Sequence, residues 1–213
     1  MPISNQDDAR VMFPGLVSEC YVLGEGIVVM AINPGGGGDN DTRIQTDHAF
    51  YGAMNEFKQA SGEEIHAKFE ALNRAALESE QSWGGLTKYI NTILCATGRQ
   101  NNHVYMNAVP YRIRGDKANQ VPREAFIRAY DKIVSKQLEI LKPRAIVVLG
   151  KTTDNILGMY YRDKVPGYYV IPGTTGWRYI TKEAHEAIEA MRGDIIKPAE
   201  TREEKKIGAV EVD

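Results

Sequence analysis

Short apolar runs alternate with longer amphipathic stretches along the chain. The runs are rich in β-branched or aromatic residues and stop at Gly, Pro or Asn, a pattern typical of parallel strands covered on both faces. It predicts strands over residues 26–32, 104–109, 145–149 and 168–171. Between the runs, apolar residues recur at helical spacing. They predict helices over residues 48–60, 63–79, 83–96, 122–141, 152–157 and 182–191.

This alternation predicts an α/β three-layer sandwich around a central four-stranded parallel sheet. The 213 residues fit a single domain, 1–213, with a core over about 16–195 and loosely held ends. Ligands of such sheets bind beyond the carboxyl ends of the strands. The first candidates for a site are therefore Asn33 and Asn107, because each follows or ends a strand with an amide that both donates and accepts hydrogen bonds.

Composition narrows the class of protein. The hydrophobic share of 43% and the charged share of 25% are those of a globular protein, and the apolar run from Ile27 to Ile32 is too short to cross a bilayer. No signal peptide is evident, and Cys20 and Cys95 are too few for a four-cysteine site. We therefore expect a cytoplasmic monomer with no membrane contact, no metal and no cofactor.

The charge is uneven along the sequence. The net charge of −2 argues mildly against nucleic-acid binding. The segment from residue 99 to residue 117, however, contains a single acid, Asp116, and several cations. The cations are Arg99, Arg112, Arg114 and Lys117. Such a segment can form a local phosphate-binding face, and scattered solvated charge is the other interpretation.

Two nucleotide-binding motifs are incomplete. "LGKTT" is the end of a P-loop, but Ala145 stands where that motif needs Gly. The run "GGGGDN" fits the dinucleotide fingerprint only if Asn40 were Gly. A phosphate-binding α/β protein remains a remote alternative.

Four segments in order resemble the uracil-DNA glycosylase superfamily. "AINPG" (31–35) resembles the first motif of its mismatch-specific branch, and "AFYGAMNEF" (49–57) is similar to the helix start of its thermostable branch. "VYMNAVPYRIR" (104–114) resembles the strand that ends in Asn, and "LEILKPRAIVVLGKTTDNILG" (138–158) the following helix–strand–helix unit. The match spans roughly residues 26–192. The resemblance implies the three-layer fold of that superfamily around a four-stranded parallel sheet and DNA as the partner. It also implies hydrolysis of the bond between a flipped-out pyrimidine and its deoxyribose.

The resemblance also implies catalytic roles. Asn33 matches the position that orients the attacking water, and an asparagine that caps its own turn before Pro34 is the alternative. His48, close to the glycine run, is a candidate to assist the leaving base, or is simply the residue at a helix start. The third catalytic segment of the family usually reads His-Pro-Ser or Asn-Pro-Ser. Here it reads Ile171-Pro172-Gly173, so the usual histidine is missing.

The base-binding roles fall on three further residues. Asn107 matches the residue that reads the edge of the base, and its amide suits uracil or, turned round, cytosine. Phe50 matches the residue on which the base stacks, with Tyr51 in reserve, and a core aromatic is the alternative for both. Further DNA contacts are expected on loops after the strands, with Trp177 as a wedge. These residues are Arg112, Arg114, Lys151, Thr174, Thr175 and Arg178.

The glycine run suggests the substrate. In the strict uracil branch a tyrosine follows the proline of the first motif and excludes groups larger than hydrogen at C5 of the base. Here Gly35 and Gly36 open that side of the pocket, and two more glycines follow. We therefore predict excision of a pyrimidine with a bulky C5 group, of the 5-hydroxymethyl or glucosylated kind found in phage DNA, in antiphage defence. The alternatives are a uracil or mismatched-thymine repair glycosylase and a catalytically weak DNA-binding protein.

Overall fold

The computed structural model describes residues 15–32, 48–80, 85–110, 123–165, 167–173 and 180–196. Its strands are β1 (Leu16–Val17), β2 (Ile27–Ala31), β3 (His103–Asn107), β4 (Ala145–Leu149) and β5 (Gly167–Ile171). Its helices are α1 (His48–Gln59), α2 (Glu64–Glu80), α3 (Gly85–Thr97), α4 (Arg123–Ala129), a π-helical segment (Tyr130–Val134), α5 (Ser135–Leu141), α6 (Lys151–Tyr161) and α7 (Lys182–Ile196). The α/β class and the predicted alternation are confirmed, although several ends differ from the prediction.

The strands form one mixed sheet in the order β1-β3-β2-β4-β5. The four predicted strands are parallel to one another, with Val29 opposite both Tyr105 and Val147. Strand β1 is antiparallel to β3 and adds a fifth strand at the edge. The prediction of a four-stranded, all-parallel sheet is therefore wrong. A strand of two residues is too short to show any periodicity in the sequence.

A side chain covers the outer edge of β1. The Val17 N–H donates to Asn73 Oδ1 over 3.0 Å, and Asn73 Nδ2 donates to the Val17 carbonyl over 2.9 Å. The amide of this α2 residue thus takes the place of a neighbouring strand. It satisfies backbone groups that an open sheet edge would leave unpaired.

Helices cover both faces of the sheet. Along β2, Val29 and Ala31 point to one face, where they pack with residues of α1, α2, α3 and α7. Val28 and Met30 point to the other face and pack with α4, the π-helical segment, α5 and α6. Among the described residues no helix is both long and apolar enough to span a membrane.

The helix predicted over residues 122–141 contains a π-helical turn. Ala129 and Val134 are both buried, five residues apart, which is one residue more than an α-helix places on one face. The wider turn, in which the Ser135 N–H bonds to the Tyr130 carbonyl, keeps both side chains in the core. Lys142 then ends α5 in the left-handed region at φ 45°.

Candidate functional site

The carboxyl ends of the parallel strands meet at one edge of the sheet. Ala31 lies opposite Asn107, and pairing continues beyond the strands, because the Val109 N–H donates to the Ile32 carbonyl over 2.8 Å. At the other side of the edge the Gly150 N–H donates to the Ile171 carbonyl over 2.9 Å. The residues that follow β2, β3, β4 and β5 therefore start from one continuous row, as predicted.

Asn107, the last residue of β3, has an unsatisfied side chain. It is only 2% exposed, and its Oδ1 has no hydrogen-bond partner among the residues that the structure describes. A buried acceptor left without a donor costs about 1–3 kcal/mol. Buried Thr97 and Thr153, by contrast, donate their hydroxyls to carbonyls of the preceding turn. Asn107 is thus a strand-end residue whose side-chain acceptor, Oδ1, has no donor in the described fold.

Phe50 lies on the same face of the sheet as Asn107. Side chains alternate along β3, so Asn107 shares the face of Tyr105, which belongs to the core layer that contains Ala31 and Phe50. Phe50 is 8% exposed in the first turn of α1. Its position is compatible with a stacking surface and equally with a core aromatic, as the sequence indicated.

Lys151 lies just beyond the carboxyl end of β4. It is the first residue of α6, immediately after Gly150, whose φ of 89° favours glycine. Its side chain is exposed and close enough to Glu183, at the start of α7, to help lower the pKa of that carboxyl. The larger causes of this lowered pKa are hydrogen bonds from the Glu183 N–H and the Thr181 hydroxyl.

The segment after β5 is anchored by a residue that the sequence did not single out. The buried Tyr89 hydroxyl of α3 donates to the Pro172 carbonyl, while Gly173 is exposed. Burial raises the pKa of Tyr89. Nothing in the sequence marks this contact, because the acceptor is a backbone carbonyl and the two residues are far apart along the chain.

The remaining predicted site residues cannot be placed. The side chains of His48 and Tyr51 are outside the described part of α1, although both residues belong to that helix. The other candidates lie outside the described residues altogether; they are Asn33, Gly35, Gly36, Arg112, Arg114, Thr174, Thr175, Trp177 and Arg178. The structure therefore places Asn107 and Lys151 at the carboxyl ends of their strands and Phe50 in the core layer on the Asn107 face of the sheet.

Metal-binding chemistry has no candidate in the described ranges. They contain no group of three His, Cys, Asp or Glu side chains that could hold an ion, and Cys20 and Cys95 are both exposed free thiols. One further buried group, His103, also has an unpartnered atom, Nδ1. It begins β3 and so lies at the opposite edge of the sheet from Asn107.

The fold and this edge define an α/β protein with a mixed sheet and an unpartnered amide oxygen at the carboxyl end of an inner strand. No protein-family model matches the sequence, and no curated protein matches it. The resemblance to uracil-DNA glycosylases therefore stays a prediction.

Proposed function

We propose that the protein is a DNA glycosylase that removes a flipped-out pyrimidine, preferably one with a bulky group at C5. The observation that carries the proposal is the buried Asn107 Oδ1, which lacks a donor among the described residues. A flipped base supplies such a donor on its Watson–Crick edge.

The amide of Asn107 suits two bases. Its Oδ1 accepts from N3–H of uracil while Nδ2 donates to O4; turned round for cytosine, Oδ1 accepts from the N4 amino group while Nδ2 donates to N3. Asn107 thus recognises the pyrimidine edge without choosing between the two bases. Discrimination between substrates therefore depends on the part of the pocket that faces C5 of the base. The resemblance assigns this part of the pocket to Gly35 and Gly36.

The reaction is a hydrolysis at C1′ of the deoxyribose. The bond between C1′ and N1 breaks with its electron pair going to the base, the water oxygen bonds to C1′, and a water proton is released, giving a free base and an abasic site. The resemblance assigns the orientation of this water to Asn33, two residues after Ala31, which pairs with Asn107. His48 would donate a proton to the leaving base, and Phe50 would supply stacking of about 1–3 kcal/mol.

Burial adds a requirement for access. Because Asn107 is 2% exposed, a base reaches Oδ1 only after the chain that covers it moves aside. The proposed enzyme therefore opens around the extruded nucleotide before hydrolysis, as enzymes that close over their substrates commonly do.

A panel of duplexes tests the proposal. Each duplex carries uracil, a mismatched thymine, 5-hydroxymethylcytosine or its glucosylated form, and base release is read as alkali-labile strand breaks. We expect release of the bulky bases, loss of release in Asn33→Ala with retained DNA binding, and normal release in Asn155→Ala, which changes an exposed asparagine on α6. Removal of such bases would leave abasic sites throughout infecting phage DNA and so act in antiphage defence.

The same panel decides between the alternatives. Release of uracil or mismatched thymine alone would assign the protein to repair, since Asn107 fits uracil equally well. DNA binding with no release of any base would indicate a binding protein, consistent with Ile171-Pro172-Gly173 in place of the histidine segment. The absence of both DNA binding and base release would refute the proposal.

A further inference from the structure

Two hydrogen bonds fix the point at which the chain leaves the sheet after β5. Leu149 pairs with Ile171, and the Gly150 N–H donates to the Ile171 carbonyl over 2.9 Å. The next carbonyl, that of Pro172, accepts from the Tyr89 hydroxyl. Proline has no N–H, so the ladder of backbone hydrogen bonds cannot continue through the nitrogen of this residue. The carbonyl of Pro172 is therefore the group that the fold holds, and Tyr89 supplies the donor.

Tyr89 lies in the core layer on the Asn107 face of the sheet. It is 1% exposed in α3 and belongs to the layer that contains Phe50 and Ile171. A phenylalanine ring would fill the same space, so packing alone does not require the hydroxyl. The bond to the chain after β5 gives the hydroxyl its role.

The residues that Tyr89 holds start from the same edge of the sheet as Asn107. In the sheet order, β2 and β4 separate β3 from β5. Neighbouring strands are about 4.8 Å apart, so the ends of β3 and β5 lie about 14 Å from each other. One nucleotide spans most of that distance from the edge of its base to its phosphate. A nucleotide whose base contacts Asn107 can therefore extend across β2 and β4 towards Gly173, which is exposed.

We infer that Tyr89 is a positioning residue for base release, because its hydroxyl holds Pro172 and Gly173 on the side of the site opposite Asn107. This inference rests on the proposed function. Tyr89 itself is buried, so it acts through the two residues that it holds. Rates depend steeply on such placement, since a misplacement of about 1 Å can slow a reaction about 100-fold.

The test compares two variants that each lose one tyrosine hydroxyl. Tyr89→Phe keeps the ring and removes the donor to Pro172. The matched control is Tyr21→Phe, because the Tyr21 hydroxyl also donates to a backbone carbonyl, that of Leu141, over 3.1 Å. This second bond lies at the opposite edge of the sheet, close to where β2 and β4 begin.

Two measurements are made on each variant. The single-turnover rate of base release is measured on the duplex of the panel that the wild-type protein processes fastest, and affinity for the same duplex by fluorescence anisotropy. We expect Tyr89→Phe to release the base about 10–100-fold more slowly while its affinity stays within about twofold of wild type. Tyr21→Phe should match the wild-type protein in both measurements. Melting temperatures establish that both variants are folded.

Amide hydrogen exchange tests the anchor without any substrate. The Gly150 N–H donates to the Ile171 carbonyl, one residue before Pro172. Loss of the Tyr89 hydroxyl should loosen this end of β5, so we expect exchange at Gly150 to be about 5–10-fold faster in Tyr89→Phe. Exchange at Gly150 should be unchanged in Tyr21→Phe.

The outcomes separate this inference from the proposed function. Base release at the wild-type rate in Tyr89→Phe, or equal slowing in both variants, would overturn the inference and leave the glycosylase proposal intact. Unchanged exchange at Gly150 in Tyr89→Phe would show that other groups hold Pro172, and would overturn the inference as well. A wild-type protein that releases no base would overturn the proposed function and, with it, the role of Tyr89 in base release, whatever the exchange at Gly150.

Discussion

At the scale of single residues, two asparagine side chains differ in their hydrogen-bond partners. Asn73 bonds both backbone groups of Val17, whereas Asn107 Oδ1 has no partner among the described residues. The first amide stabilises the fold. The buried, unpartnered oxygen of Asn107 lowers the stability of the fold unless a ligand or a segment outside the described residues supplies a donor.

Substitution by leucine, which has nearly the shape of asparagine, distinguishes the two. We expect Asn107→Leu to leave the free energy of unfolding unchanged or raise it by up to about 1 kcal/mol, and to abolish base release. Asn73→Leu should lose about 1–3 kcal/mol, because two backbone groups lose their partners. Urea unfolding measures both. Equal destabilisation by the two substitutions would show that Asn107 is satisfied within the chain.

Gly26 illustrates a close approach of side chains to the backbone. A Cβ at this position would lie 2.2 Å from the Tyr21 ring and 2.6 Å from Asn102 Oδ1. Both neighbours are held in place, because the Tyr21 hydroxyl donates to the Leu141 carbonyl and Asn102 Oδ1 accepts the Val22 N–H. Only glycine fits without displacing one of them.

We therefore expect Gly26→Ala to lower the free energy of unfolding by about 1–3 kcal/mol, as overpacking does. Gly193→Ala is the control, since Gly193 is exposed in α7 and a Cβ there would have no neighbour within 4 Å. It should raise the free energy of unfolding by up to about 1 kcal/mol through helix propensity. Thermal melts monitored by circular dichroism measure both changes, and a neutral Gly26→Ala would contradict the packing argument.

At the scale of elements, the π-helical segment allows one continuous helical stretch to keep both Ala129 and Val134 in the core. Ala129 and Val134 are five residues apart, whereas Val134 and Leu138 have the ordinary spacing of four. The sequence shows a helix here, but the wide turn depends on which side chains the sheet buries. The irregularity is therefore a consequence of packing.

Deleting one exposed lysine tests this account. Removal of Lys132 should convert the π-helical turn to an α-helical one and keep Val134 in the core, with a change in stability below about 1.5 kcal/mol. Removal of Lys136 should rotate Leu138 out of the core and cost about 2–5 kcal/mol. Guanidinium unfolding measures both deletions. A Lys132 deletion as harmful as that of Lys136 would refute the interpretation.

At the scale of the whole molecule, the two edges of the sheet differ in their chemistry. The carboxyl edge carries Asn107 and the opposite edge buries His103, and among the described residues Asn107 Oδ1 and His103 Nδ1 both lack a hydrogen-bond partner. Desolvation lowers the pKa of His103, and backbone hydrogen bonds to Arg99 and Gln100 act in the opposite direction. This histidine links global stability to pH.

Because its pKa is lower in the folded state, His103 binds fewer protons there than in the unfolded chain. Stability from this group is complete above the unfolded pKa of about 6.5 and falls as the pH drops below it, by at most about 1.4 kcal/mol per unit. We expect His103→Gln to flatten the dependence of the unfolding free energy on pH between 6.5 and 5. His185→Gln, on the exposed face of α7, should not. An unchanged slope in His103→Gln would show that other groups control the pH dependence.

The candidate site was predictable only in part. The position of Asn107 and Lys151 at one edge was predictable, because parallel strands bring their carboxyl ends together; their roles stay predictions. Tyr89 was missed because its partner is the carbonyl of Pro172, and a backbone acceptor leaves no signal in the residue types. The unsatisfied state of Asn107 depends equally on neighbours that are distant along the chain.

The sequence by itself determined the α/β class, the four parallel strands and most of the helices, because burial on both faces produces apolar runs and burial on one face produces helical spacing. Only the tertiary structure decided the fifth strand, the π-helical turn and the partners of buried amides. Leu16–Val17 is a strand because Tyr105, Val104 and Asn73 lie beside it, and not because of its own two residues. Such features are set by contacts between distant segments, which no local pattern records.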